Sequence, residues 1–217
     1  MQIFPQLFHF NNRLFILTIS ILLCACTSEK YLMPTPSLYV GNEVAGFDKV
    51  PPALQSNTID LLYVTDRKPE YDESNNFNYG YQRSLSAAFG TVSINLNRAM
   101  SWDELVEESQ QKTRTQKIEL HIANISEQGR YPETPYPLIK DNKGDIIEDP
   151  ASLRTASQIN KQFQLELAKR LAVAPKNEVF IFIHGVSNDF STAAYALAEL
   201  WHFSGRETVP ILYTWPA

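Results

Sequence analysis

The stretch that decides the fold is Glu178–Asn188, EVFIFIHGVSN. Its first half alternates β-branched and aromatic residues, which is typical of a strand inside a sheet, and it ends at His184-Gly185 before a polar turn. An apolar stripe with helical spacing follows, formed by Phe190, Ala193, Ala194, Leu197, Leu200 and Trp201. The run 209–214, VPILYT, then predicts another strand. Residues 178–214 therefore predict a strand, a helix and a parallel strand that is adjacent or one strand away.

The chain before this unit predicts further elements of both types. A capping box, Ser101 with Glu104, begins a helix over 102–111, and Asp149 before Pro150 begins a longer one that ends near Pro175. Two loops are expected at the surface, over 70–82 and 129–149. Short apolar runs predict strands over 59–64, 89–96 and 118–123.

The sequence of the N-terminal segment predicts an export signal. Residues 14–23, LFILTISILL, form an apolar run with the length of a signal-peptide core, too short to span a bilayer. Cys24-Ala25-Cys26 follows and resembles a bacterial lipobox. We expect residues 1–25 to be a lipoprotein signal and Cys26 to carry the lipid. An ordinary secretory signal and a signal anchor are the alternatives.

Thr27 and Ser28 follow the cysteine, with no Asp at the second position, and by resemblance to sorting rules this favours the outer membrane, facing the periplasm. Prolines 34, 36, 51 and 52 predict a flexible tether over 26–58. The ordered domain is expected over 59–217.

Composition excludes several classes of function. The net charge is -5 and the basic residues are scattered, which argues against a nucleic-acid partner. Both cysteines lie in the front stretch, so the domain has none for a disulfide or a thiolate metal site. No Gly-rich phosphate loop and no His-x-x-x-His spacing occurs. We expect no cofactor and no metal.

The C-terminal motifs resemble a bacterial α/β-hydrolase family of unknown function in the esterase/lipase superfamily. Its members read as a strand, His-Gly-Phe-Asn-Asn, an Ala/Leu helix and a strand ending Ser-Trp-Pro, and here the chain has HGVSN and YTWP. LLYVTDRKP, from Leu61, resembles the family's first strand. The resemblance covers roughly 59–217 and departs at Val186 and Ser187, where the family has an aromatic residue and Asn.

The resemblance implies a partial α/β-hydrolase fold, mainly parallel, with a carboxylic ester or lipid as the substrate. His184, Gly185 and Val186 would form the oxyanion loop, with the Val186 N–H as donor and His184 as an orienting group. The nucleophile elbow, the acid and the catalytic histidine would come after Trp215. Ser187 lacks the small residue that an elbow needs at position 189, which is Asp, so no catalytic set is complete.

Two hypotheses remain open. The chain is a truncated, inactive part of a lipid-anchored serine hydrolase, or it is a non-catalytic envelope lipoprotein that binds a partner or supports structure. An encoded Gly-x-Ser-x-Gly downstream would favour the first. Because the nucleophile strand that would pair there is missing, we expect an exposed apolar edge at 209–213 and a domain that aggregates or forms a dimer. A clean monomer would favour the second hypothesis.

Overall fold

The structure, a computed structural model, describes residues 29–40 and 46–216. The strands are β1 Lys30–Tyr31, β2 Thr58–Tyr71, β3 Phe77–Leu96, β4 Glu119–Arg130, β5 Leu138–Lys140, β6 Ile146–Glu148, β7 Val179–Ile183 and β8 Val209–Thr214. Six of them form a mixed sheet in the order β1-β4-β3-β2-β8-β7, and β5 pairs with β6 in a separate hairpin. Short 3-10 helices occupy Ser37–Tyr39, Gly46–Lys49 and Pro52–Leu54. The α-helices are α1 Trp102–Gln110, α2 Pro150–Leu171 and α3 Phe190–Phe203.

The strand–helix–strand prediction at the C-terminal end is confirmed. β7 and β8 are adjacent and parallel, with Val179 opposite Val209 and Ile183 opposite Tyr213. α3 packs on the sheet through Phe190, Ala194 and Leu197, all 0% exposed. Gly205 follows the helix at φ +77°, the left-handed conformation that glycine adopts without steric cost.

The expectation of a mainly parallel sheet is wrong for the first half of the chain. Only β2, β8 and β7 run parallel among the described strands, whereas β1, β4, β3 and β2 form antiparallel pairs. The loop expected over 70–82 is largely strand, because β2 and β3 continue to a tight turn. Asp72 stabilises that turn by accepting hydrogen bonds from the N–H groups of Ser74 and Asn76.

Helix starts follow the predicted caps. The Ser101–Glu104 capping box begins α1, and Asp149 accepts hydrogen bonds from the N–H groups of Ala151 and Ser152 at the start of α2. α3 covers one face of the sheet, and α2 covers part of the other through Ile159, Phe163 and Leu167. The expected loop over 129–149 contains the β5–β6 hairpin, where the structure adds pairing that the sequence pattern did not show.

The structure places residues before Ile59 in contact with the domain, earlier than the expected domain start. β1 pairs with β4, and Leu32, Phe47 and Val50 are buried. Arg114 holds this segment by donating hydrogen bonds to the carbonyls of Leu32 (2.9 Å) and Met33 (2.7 Å). Prolines restrict the backbone conformation of this segment, but its apolar side chains Leu32, Phe47 and Val50 are still buried.

Among the described strands, β7 lies at an edge of the sheet and β8 lies inside it, so the expectation of an exposed edge at 209–213 is wrong. β8 lies between β2 and β7, and Leu212 is 0% exposed. The crossover through α3 places β8 on the inner side of β7, between β7 and β2. The predicted signal (1–25) and Cys26 lie outside the described residues, and no described helix has the length and apolarity to cross a membrane.

Candidate functional site

The candidate site is the loop between β7 and α3, residues 184–189, at the carboxyl ends of the parallel strands. In open α/β sheets this edge is where ligands bind, because loops there connect strands to helix N-termini. β7 delivers His184 to the loop, and α3 begins after Asp189, whose carboxylate accepts a hydrogen bond of 2.6 Å from the Thr192 N–H. The loop is thus fixed at both ends.

His184 is held by its ring nitrogens and by stacking. Nδ1 lies 2.7 Å from the Gly185 carbonyl, which can only accept, so Nδ1 carries the proton. Nε2 then accepts from the Thr214 hydroxyl (3.0 Å) and from the Trp215 N–H (3.1 Å). The ring stacks on Trp215 with an interplanar angle of 7°. Both ring nitrogens therefore face groups of the protein, so His184 orients the loop and presents neither nitrogen to a ligand.

Arg67 is the residue of this site that sequence reasoning missed. It is 0% exposed, and its Nε donates to the Thr214 hydroxyl (2.9 Å) while Nη2 donates to the Asn188 carbonyl (2.6 Å). Nη1 donates to the Gly80 carbonyl at 2.9 Å. Burial lowers the pKa of Arg67, and the nearby Asp189 carboxylate partly offsets that shift. The signal was present in the sequence, since an arginine so close to the apolar run 59–64 needs partners if it is buried with that run.

The tip of the loop is exposed. Val186 is 74% exposed, and Asn188 donates its side-chain amide to the carbonyls of Gly185 and Val186. Among the described residues, none accepts a hydrogen bond from the Val186 N–H. A Cβ built on Gly185 meets no atom within 4 Å, so the fold itself leaves that space open. The loop therefore presents an uncommitted donor beside room for a ligand.

Ser187 has a left-handed backbone, φ +65°, and an exposed side chain. Ser187 takes no part in capping α3, whose N-cap is the Asp189 side chain. The nearest histidine along the chain, His184, has both nitrogens occupied. Nothing around Ser187 in the described chain would activate its hydroxyl as a nucleophile.

A serine–histidine pair does occur, in the core of the domain. Ser109 Oγ lies 2.8 Å from His202 Nε2, and both residues are 0% exposed. The Arg206 guanidinium donates to the other ring nitrogen, Nδ1, at 3.0 Å, where a catalytic triad would place a carboxylate. Burial, together with the Arg206 charge, holds the pKa of His202 well below its ordinary value. This pair is structural, since no substrate reaches it and a cation opposes the imidazolium.

A polar cleft of 610 Å³ lies beside the first turns of α3. Its lining includes Ser191 and Tyr195 of α3, His121 and Asn124 of β4, and residues of the β2–β3 turn. His121 and Asn124 are exposed, and neither side chain is engaged in a hydrogen bond with another described residue. No group of His, Cys, Asp and Glu suited to a metal ion occurs in the described part of the chain.

The fold and the loop define an α/β protein with a candidate ligand site at the strand–helix junction. Residues 159–217 match a family model described as alpha/beta hydrolase of unknown function (DUF900). The match begins within α2 and contains β7, the loop, α3 and β8, and it supports membership of an α/β-hydrolase family whose function is unknown. The resemblance seen in the sequence extended further, to about residue 59. No curated protein and no solved structure gives a significant match.

Proposed function

We propose that the loop 184–189 is the oxyanion-binding part of a carboxylic-ester hydrolase site, carried on a lipid-anchored protein of the bacterial envelope. The observation that carries the proposal is the uncommitted N–H of Val186 on a loop fixed by His184, Thr214 and Arg67. The family match supports the hydrolase assignment. The lipobox-like Cys24-Ala25-Cys26 supports the anchor.

The chemistry needs a donor that is in place before charge develops. In ester hydrolysis the carbonyl oxygen becomes an alkoxide, and one preorganised N–H contributes about 3–4 kcal/mol to its stabilisation. The N-terminus of α3 adds a partial positive charge at the same edge, although the Asp189 carboxylate offsets part of it. Arg67 and His184 act as positioning residues, because they hold the loop and leave the donor free.

The cleft beside the first turns of α3 combines hydrogen-bonding groups on Asn124, His121 and Ser191 with the apolar side chains of Phe77, Ile122 and Ile125. Both a polar ester and an acyl chain would find matching groups there. The proposed substrate is therefore a carboxylic ester or a lipid.

The described part of the chain does not bring a nucleophile, an acid and a base together at this loop. We expect the chain to hydrolyse p-nitrophenyl acetate no faster than background and to resist labelling by a fluorophosphonate probe. Ser187→Ala should change neither result. Turnover that is lost in Ser187→Ala would show that this serine is a nucleophile and that the loop has been assigned the wrong role.

The donor itself is tested by NMR on the chain. The Val186 amide should exchange with solvent rapidly, whereas the Leu212 amide in the interior strand β8 should be protected. Methylphosphonate, a tetrahedral oxyanion, should move the Val186 amide resonance downfield with saturation, and Ser187→Ala should keep this response. Gly185→Ala should abolish it, because the new methyl group occupies the open space. A protected or unresponsive Val186 amide refutes the proposal.

The second candidate function is a non-catalytic envelope module. The observation that favours it is the occupied state of His184, which leaves the loop without a base. Under this hypothesis the loop and cleft bind a ligand without converting it. A response of Val186 to methylphosphonate with no ester turnover, even when the coding sequence downstream is expressed with the chain, would favour this candidate.

A further inference from the structure

The cleft beside the first turns of α3 has three walls that are fixed to one another. The rings of Phe77 and Tyr79 are 5.1 Å apart, and the ring of Tyr79 lies 5.1 Å from that of Phe190, the first residue of α3. These contacts attach the β2–β3 turn to the helix. The Tyr195 hydroxyl accepts a hydrogen bond of 3.3 Å from the Ile122 N–H, which attaches the helix to β4. The cleft is therefore formed without a ligand, as is usual for small-molecule sites.

The charge of the cleft wall favours a neutral ligand. The described residues that line it include neither lysine nor arginine, so a phosphate or carboxylate would find no cation there. The lining has one carboxylate, Asp72, and both of its oxygens already accept hydrogen bonds inside the β2–β3 turn. The donors are the N–H groups of Ser74 and Asn76 and the Asn76 side-chain amide. An ammonium ligand would thus find no carboxylate that is free of other donors.

The same wall offers hydrogen-bonding groups that the described chain does not use. The Asn124 amide and the Ser191 hydroxyl have no hydrogen-bond partner among the described residues. Asn78 uses only its side-chain oxygen, which accepts from the Tyr79 N–H at 2.8 Å. An amide combines two N–H donors with an acceptor, and a hydroxyl is both donor and acceptor. Such groups match a ligand that carries several hydroxyl groups.

Apolar side chains lie beside these polar groups. Phe77, Ile122 and Ile125 line the cleft and pack against the core under α3. The two isoleucines share one face of β4 because the pairing with β3 shifts register between Ser93 and Ile94, where β4 has one extra residue. The cleft therefore presents an apolar surface next to free amides. A saccharide presents the complementary pair, C–H groups on the face of its ring and hydroxyl groups around the edge.

We propose that this cleft binds a neutral saccharide, whose hydroxyl groups bond to Asn78, Asn124 and Ser191 while its C–H face lies on the apolar side chains. The inference rests on the proposed function in one respect, because the saccharide would be the alcohol part of the ester. Ser191 follows the helix cap Asp189 by two residues, so the cleft adjoins the loop 184–189. A substrate seated in the cleft could thus extend its acyl group toward the loop.

N-Acetylglucosamine tests the site, with two matched probes. In NMR titrations of the full chain in mild detergent, it should shift the side-chain amide resonances of Asn124 and Asn78 with saturation. Its phosphate ester adds a negative charge, and N-cyclohexylacetamide keeps the ring and the acetamide but has no hydroxyl. Each should bind about ten times more weakly or worse, because a site built for hydroxyls rejects ligands that leave its polar groups unpaired. Equal or tighter binding of either probe overturns the proposal.

Replacing Asn124 tests the contact itself. Asn124→Leu keeps a similar side-chain size and removes the amide, so the affinity for N-acetylglucosamine should fall about fivefold to tenfold. Asn142→Leu, on the β5–β6 turn, is the matched control and should leave the affinity unchanged. Both asparagines are exposed, so both chains should keep the fold, which circular dichroism checks. An unchanged affinity in Asn124→Leu, or an equal loss in Asn142→Leu, overturns the proposal.

The two sites are read separately. The Val186 amide reports the loop, and the Asn124 side chain reports the cleft. A saccharide response at Asn124 without a methylphosphonate response at Val186 supports the saccharide site and refutes the oxyanion loop. A response at Val186 without one at Asn124 overturns the saccharide site alone.

Discussion

Replacing Arg67 by methionine tests how the candidate loop is held. Methionine fills much of the space of the arginine stem but donates no hydrogen bond. The carbonyls of Gly80 and Asn188 would then lose the hydrogen bonds that Arg67 donates, and the hydroxyl of Thr214 would keep only its bond to His184. A buried acceptor left without a partner costs about 1–3 kcal/mol.

The expected loss is smaller than the sum of these bonds. Arg67 is buried without a carboxylate in direct contact, so removing it also removes the cost of keeping a cation out of water. We expect a net loss of about 2–4 kcal/mol in the free energy of unfolding. With a urea m-value of about 2 kcal/mol/M, the unfolding midpoint should fall by about 1–2 M.

The assay is equilibrium unfolding in urea, with Arg98→Met as the matched control. Arg98 is exposed after β3, and its substitution should change stability by less than about 0.5 kcal/mol. Hydrogen exchange should also show faster exchange in the first turn of α3 for Arg67→Met, because the Asn188 carbonyl is released. If Arg67→Met is as stable as Arg98→Met, the network around Thr214 does not hold the loop.

Three further outcomes are expected. Gly185→Ala should leave stability unchanged within about 0.5 kcal/mol, since its Cβ meets open space, and thermal unfolding measures this; a large loss would show that the loop is packed. Because burial depresses the pKa of His202, the unfolded state binds more protons below the ordinary value of 6.5. Stability is therefore full above that pH and falls as pH decreases below it, and His202→Gln should flatten the dependence in urea melts at a series of pH values. Cys26→Ser should abolish incorporation of a fatty-acid analogue in cells, and equal labelling of both chains would refute lipidation.

The C-terminal strands and helix could be predicted because their signals are local. VFIFI bounded by a polar turn, and Asp189 before an apolar stripe, determine element type without reference to the rest of the chain. The antiparallel half was harder, because Tyr79 and its neighbours lie in a stretch rich in Asn, Tyr and Gly that favours a loop. Its strand character comes from pairing with β2, where Tyr79 lies opposite Pro69 and its hydroxyl contacts Tyr63.

The sequence pointed to the loop of the candidate site but not to Arg67, which holds that loop in place. His184 and Gly185 are contiguous in the sequence, so the motif could be recognised there. Arg67 lies far from them along the chain and meets Asn188 only after β2, β8 and β7 have assembled. Which strand lies at the edge of the sheet also depends on how the strands assemble, because the direction of the crossover through α3 decides whether β8 or β7 is outermost.

The pairing of β1 with β4 limits how far the domain could stand from a lipid anchor at Cys26. Hydrogen-bonded structure already begins at Lys30, whose side chain also reaches Glu199 of α3 at 3.7 Å. If Cys26 carries lipid, about four residue steps of about 3.5 Å each join the bilayer to that strand, a reach of roughly 14 Å. The domain would then lie next to the membrane surface, and its substrates and partners would have to reach it there.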